Sequence, residues 1–259
     1  MTKIRSFLIL IFSSLLTIYA QDTTDSNWGI KIGLNEYQVQ EKVLSNIRHR
    51  GILASLGFSY SSLDNISLSE FRFNIIFNGL KSRYETEIAS FAANPSINYR
   101  YLKRINDFHD KIYMYVGGIA GWNLHMDFYD KWDESHVYWL NSYYIGISDR
   151  LSYLLTDNSR LNLDINIPVL AFISRPPERF LYKELDLKFS WFINSFHENL
   201  TFTSINQHFE VNLILEYKLE NSKMFLNNFF WSFTYLRNSM SYSKTISILY
   251  HTFGITIYL

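Results

Sequence analysis

The chain has 259 residues, with 24 Lys and Arg balanced by 24 Asp and Glu, 18% aromatic residues and no cysteine. The even charge balance carries no nucleic-acid-binding footprint. The lack of cysteine excludes a small exported scaffold held by disulfides, so the fold must rest on burial and hydrogen bonding.

Lys3 and Arg5 precede an apolar stretch over 7–19 that ends at Ala20, before Gln21 and Asp22. This is the layout of a secretory signal peptide, expected over 1–20. A spanning helix needs about 20 apolar residues, and this stretch is shorter and contains Ser13, Ser14 and Thr17. Of the 24 bases, Lys3 and Arg5 would leave with the peptide, so 22 remain against 24 acids, a formal charge of −2. A short N-terminal segment is expected over 21–26 and a single domain over 27–259, because only 4 prolines are present and no Gly/Ser/Pro linker interrupts the chain.

Alternation with a period of two, the signature of strands, then runs along most of the chain. It is weak over 28–35 and 52–60. It is strong where Phe71, Phe73, Ile75 and Phe77 oppose Arg72, Asn74 and Asn78. Weaker segments follow over 89–101, 112–124 and 137–151. Leu161, Leu163, Ile165, Ile167 and Val169 then oppose Arg160, Asn162, Asp164 and Asn166. Leu185, Leu187, Phe189, Trp191 and Ile193 oppose Glu184, Asp186, Lys188, Ser190 and Asn194, and Phe209, Val211, Leu213, Leu215, Tyr217 and Leu219 oppose residues such as His208, Glu210, Asn212, Glu216 and Lys218. A weaker segment over 225–235 precedes the last strand, with Phe253, Ile255, Ile257 and Leu259 on one face and Gly254, Thr256 and Tyr258 on the other.

These segments reach about 11 to 15 residues, against about 5 to 6 for strands of globular proteins, and about 9 to 11 tilted residues cross a bilayer. Trp28, Tyr60, Tyr101, Trp122, Trp139 and Tyr217 sit near segment ends, in the manner of interfacial aromatic girdles. The expected fold is therefore all-β, a closed antiparallel transmembrane β-barrel with no free edge. Eleven segments are recognised, whereas a single-chain barrel of this kind has an even strand number. Twelve strands are expected, with ten as the alternative. The ambiguity lies over 167–177, where Pro168 cannot donate to a ladder and Pro176-Pro177 ends one.

In this pattern, over about residues 27–259, the chain resembles the bacterial outer-membrane β-barrel superfamily. Its members commonly end on an alternating strand with an aromatic last residue; here Leu259 takes that place, with Tyr258 beside it. The resemblance implies a location in the cell outer membrane, contact with outer-membrane lipids, and recognition by the barrel-assembly machinery through the C-terminal strand. The connections over 61–65, 103–107 and 156–159 read as periplasmic turns, and those over 37–50 and 127–136 as external loops.

Lipid hydrolases among such barrels place a His two residues before a nucleophilic Ser, on one strand face. None of His49, His109, His125, His136, His197, His208 and His251 has this spacing, so no catalytic residue is assigned. His125, Asp127, Asp130, Asp133, Glu134 and His136 form the richest polar cluster and read as an external loop; their spacing matches no metal-binding motif, and no metal or cofactor is assigned. Arg48, His49 and Arg50 form a basic group near a strand start, preceded by Val39, Val43 and Ile47 at helical spacing. Arg72, Arg100, Arg160 and Lys188 are expected to meet Asp164, Asp186, Glu210 and Glu216 across the lumen, as a plug or as the lining of a narrow conduit. The function ranked first is non-enzymatic: a narrow channel, or a structural and interaction barrel whose external loops meet a protein partner. A lipid-modifying enzyme and an accessory of a secretion or uptake machine are the alternatives.

Overall fold

The computed structural model describes residues 25–42, 48–64, 66–82, 90–109, 111–129, 136–176, 180–181, 194–219, 228–240 and 243–258. The signal peptide expected over 1–20 and the alternating segment over 185–193 lie outside these residues.

The strands are β1 (Asp25–Glu41), β2 (His49–Leu63), β3 (Ser67–Ser82), β4 (Ser90–His109), β5 (Ile112–Tyr129), β6 (His136–Thr156), β7 (Ser159–Ser174), β8 (Phe180–Leu181), β9 (Thr201–Ser204), β10 (His208–Leu219), β11 (Asn228–Met240) and β12 (Ser243–Tyr258). Antiparallel neighbours run from β1 to β7 in order, β7 pairs β10, and β10, β11 and β12 follow. Closure comes from β12 against β1, in register from Gly29 opposite Tyr258 to Glu41 opposite Ile246. The barrel thus has ten strands rather than twelve. The two short strands β8 and β9 stand outside this ring, on β6 and β7 respectively. The ring closes through the described strands alone, with β7 directly on β10.

Pro168 explains how β7 changes partner. Gly146 lies opposite Pro168 while Ile145 lies opposite Leu170, so Val169 is an extra residue at a bulge. On its other edge, β7 pairs β10 only up to Asn166 and meets β9 from Leu170 onward. The proline, which has no N–H to give, sits in the interval between the two partners. Gly146 is required there, since a Cβ would lie 2.2 Å from the Ile167 carbonyl oxygen and 2.7 Å from the Pro168 Cα.

Every described strand keeps the face assignment that its alternation implies. Leu34 (62% exposed), Ile52, Ile145, Phe172 and Phe253 (63%) point outward, forming an apolar belt that only lipid satisfies. Trp28 stacks on Tyr60, its direct cross-strand neighbour, with ring centroids 4.5 Å apart.

The wall is uneven in height. At about 3.3 Å per residue and a tilt near 40°, the 21 residues of β6 rise about 50 Å and the 12 of β10 about 30 Å, against an apolar band of about 25 Å. The described chain begins at Asp25 and ends at Tyr258 at one end of the barrel, where β2 gives way to β3, β4 to β5 and β6 to β7. The register divides the excess: β4 runs past Ser67 of β3, which lies opposite Lys103, at the terminal end, whereas β6 runs from Asn141, opposite the end of β7 at Ser174, on to His136 and so projects at the opposite end. Trp139, expected in a lipid girdle, is instead 2% exposed on this projecting part, covered with Leu124 by Phe196. Phe196 belongs to a helical turn over 194–197 in the β7–β10 connection, held by Asn141 Nδ2 donating to the Phe196 carbonyl at 2.6 Å. At the terminal end, Asp64 accepts from the backbone N–H of Ile66 (2.8 Å) and Ser67 (2.5 Å) and from the Ser67 hydroxyl. Slight burial acts to raise the Asp64 pKa, but these donors outweigh it and hold the carboxylate below its usual range.

Candidate functional site: the packed lumen

Inward-facing side chains fill the barrel in layers. Nearest the termini, Leu68, Leu102 and Tyr115 form a small apolar patch on β3, β4 and β5. Above it lies an ionic layer. Arg72 Nε donates to Glu70 Oε1, two residues away on the same face of β3, and Arg72 Nη2 donates to Asp164 Oδ2 at 3.0 Å. Arg100 Nε donates to Glu70 Oε2 at 3.0 Å, and its Nη2 to Asp164 Oδ2 at 2.7 Å. Arg150 Nε and Nη2 donate to both oxygens of Asp164, at 2.6 and 2.9 Å. Glu216 stands 3.8 Å from Arg150 and accepts from Asn228 Nδ2 at 2.5 Å and Asn162 Nδ2 at 3.3 Å. Arg100 and Asp164 are both 0% exposed, so water has no path between them.

A cavity of about 110 Å³ lies above this layer, bordered below by Lys31 and Arg72 and elsewhere by Glu210 and the amides of Asn98, Asn123 and Asn212. By the rule that one water needs about 10 to 15 Å³, it holds several waters or one small molecule. A hydrogen-bond chain crosses its wall: Ser148 Oγ donates to Asn166 Oδ1 (2.6 Å), Asn166 Nδ2 to Asn212 Oδ1 (3.1 Å) and Asn212 Nδ2 to Thr234 Oγ1 (2.6 Å). Above the cavity an apolar roof closes the projecting end, with Tyr37, Leu53, Leu80, Leu236 and Ile246 all fully buried. At this end Arg175 donates to Oη of Tyr138, itself part of the roof, at 2.6 Å and to Asn238 Oδ1 at 2.7 Å.

Of the lumen residues expected from the sequence, Arg72, Arg100, Asp164 and Glu216 meet in the ionic layer. Glu210 lies higher, accepting from Asn123 Nδ2 at 3.0 Å with His208 Nε2 at 3.4 Å. Arg160 is nearer the terminal end, opposite Lys218 and Leu154 in the ladders. Asp186 and Lys188 lie outside the described residues. The sequence reading missed Glu70, Arg150 and Lys31, although each has the parity of its strand's polar face; Glu70 precedes the point where that strand's alternation was read to begin.

The expected loop cluster is divided. His125 and Asp127 are not in a loop but on β5, where they point into the lumen and are buried. His136 begins β6, while Asp130, Asp133 and Glu134 lie outside the described residues. Among the described residues no group of three or more His, Cys, Asp or Glu is arranged to hold a metal. His49, from the basic group, is buried against Tyr129 with ring centroids 5.0 Å apart.

The filled lumen and the lipid-facing belt define a transmembrane β-barrel, and comparison with solved structures gives the same fold. The outer-membrane protease OmpT of Escherichia coli superposes with a TM-score of 0.53 at 6% identity, over 94% of this chain and 100% of that one. The translocator domain of the autotransporter NalP from Neisseria meningitidis gives 0.43 at 7% identity over 99% and 95% of the two chains. An outer-membrane channel from Pseudomonas putida F1 gives 0.36 at 6% identity over 94% and 98%. At such identities the OmpT likeness establishes the fold alone. No family model and no curated relative matches the sequence. The exposed apolar belt requires that the barrel sit in a lipid bilayer.

Proposed function

We propose that the protein is a sealed, non-conducting barrel whose work is done at its projecting end, as a structural or interaction protein. One observation carries this reading: the ionic layer leaves Arg100 and Asp164 with no exposed surface, so the lumen is closed across its section. Three guanidinium groups converge on two carboxylates there. Parting such buried, hydrogen-bonded pairs to open a conduit would cost several kcal/mol for each stranded charge. The short connections at the end where β1 begins and β12 ends fit the periplasmic turns expected from the sequence, so the far end of β6 and the helical turn over 194–197 are read as external. The enzyme reading finds little support, because His125, Asp127, His208 and Glu210 are buried beneath the roof and present no surface to a lipid.

Swelling of liposomes carrying the refolded protein tests this reading. Sealed barrels leave the rate of arabinose entry at the level of protein-free liposomes. Entry that rises with protein content and falls with sugar size would overturn it.

A further inference from the structure

Lys31 borders the sealing layer without joining its ion pairs. It is 8% exposed, and among the described residues its ammonium has no hydrogen-bond or ion-pair partner. Its Nζ lies 5.6 Å from the centre of the Phe230 ring, beside the cavity that it borders. The ionic layer does not supply its partner. There Lys31, Arg72, Arg100 and Arg150 face the three carboxylates of Glu70, Asp164 and Glu216, and the fourth carboxylate, Glu210, also borders the cavity but is engaged by Asn123 Nδ2 at 3.0 Å and lies 3.4 Å from His208 Nε2. A buried unpaired cation is unfavourable, and a single negative charge at Lys31 would relieve it.

The walls beside Lys31 are glycines against which the cavity's lining side chains pack closely. Gly57 lies directly opposite it on β2, and a Cβ there would lie 2.4 Å from Asn74 Oδ1. Gly254 on β12 lets the Phe230 ring lie flat, since a Cβ would meet it at 2.6 Å. Neither Asn74 nor Asn98 has a side-chain hydrogen bond among the described residues, and both amides line the cavity. Glu210 on the same lining repels a second negative charge, which limits the occupant to one anionic group.

We infer that this cavity is a binding site for a small monocarboxylate, its carboxylate seated on Lys31 and its polar body against the amides of Asn74 and Asn98. The inference goes beyond the sealed-barrel reading, and the two fail separately: conduction would appear in the swelling assay whatever binds at Lys31.

The test uses acetate and its neutral isostere acetamide at constant ionic strength. The mature chain is refolded into detergent with either probe present, so that no entry route is needed, and its thermal unfolding is followed. The expected result is a midpoint that rises with acetate concentration, does not respond to acetamide, and loses the acetate response in Lys31→Met but not in the exposed turn variant Lys42→Met. Asn98→Leu, which fills the cavity and leaves the charge intact, is expected to lose the response as well, so the inference stays testable if Lys31→Met fails to fold. Equal responses to the two probes, no response to acetate, or an undiminished response in Asn98→Leu would overturn it.

Discussion

Arg150 on β6 and Asp164 on β7 face each other directly in the antiparallel ladder, and the guanidinium spans both carboxylate oxygens at 2.6 and 2.9 Å. The same carboxylate also accepts from Arg72 and Arg100, on strands β3 and β4 across the lumen. Asp164 is thus the group through which distant walls of the barrel are tied together. Asp164→Asn leaves three buried guanidinium groups short of a counter-charge and is expected to destabilise the folded barrel by about 3 to 5 kcal/mol. Asp157→Asn, at the exposed β6–β7 turn, should stay within about 0.5 kcal/mol. Urea-induced unfolding in lipid bilayers measures both, and equal effects would contradict the arrangement of the layer.

The outward belt makes a second prediction. Leu213, between Ile165 of β7 and Phe233 of β11, sits near the middle of the shortest wall. Leu213→Arg is expected to cost about 2 to 4 kcal/mol, while arginine in place of the exposed Ile66, in the terminal-end turn, should cost about 0 to 1. The same unfolding measurement compares them, and a cheap Leu213→Arg would mean that this face does not meet lipid.

Gly146 and Gly118 separate a steric requirement from a mere composition. A Cβ at Gly146 would strike backbone atoms at the Pro168 bulge, whereas one at Gly118 would find its nearest neighbour, the Gly146 carbonyl oxygen, at 3.7 Å. Gly146→Ala should cost about 1 to 3 kcal/mol, as overpacking does, and Gly118→Ala should be neutral within about 0.5. Refolding yield and urea midpoints distinguish them.

On the projecting wall, Phe196 keeps Trp139 from water. Phe196→Ala is expected to cost about 1 to 2 kcal/mol, less than a fully buried aromatic, because its own side chain is only half-buried. Tryptophan fluorescence should shift to the red in the folded state. An unchanged spectrum would mean that the β7–β10 connection does not cover this wall in the membrane.

Much of this architecture is legible in the sequence, for a definite reason. A strand with lipid on one side and a polar lumen on the other must alternate strictly, so Arg72, Asn74, Asn162, Asp164 and Asn166 declare their face without any knowledge of their neighbours. Which residues then meet is set by strand number and stagger, which no local pattern encodes. Arg72 and Asp164 are 92 positions apart and touch only because ten strands close with this register. The strand count, twelve with ten as the alternative, stayed open in the sequence because alternation does not say which segments pair: β7 pairs β10 directly, and the ring closes at ten. Trp139 was misplaced for a related cause: its outward parity is real, but the wall there rises beyond the lipid and the chain folds back to cover it. Lys31 carried a readable parity in a weak segment, but its lack of a counter-ion is a property of the assembled interior.

Planar-bilayer recording of the refolded mature chain, with circular dichroism to show that it is folded, tests the central claim most directly. The packed ionic layer predicts a silent bilayer under applied voltage. Reproducible unitary current steps from the folded protein would contradict it, showing that Arg72, Arg100, Arg150 and Asp164 line a pore instead of closing one.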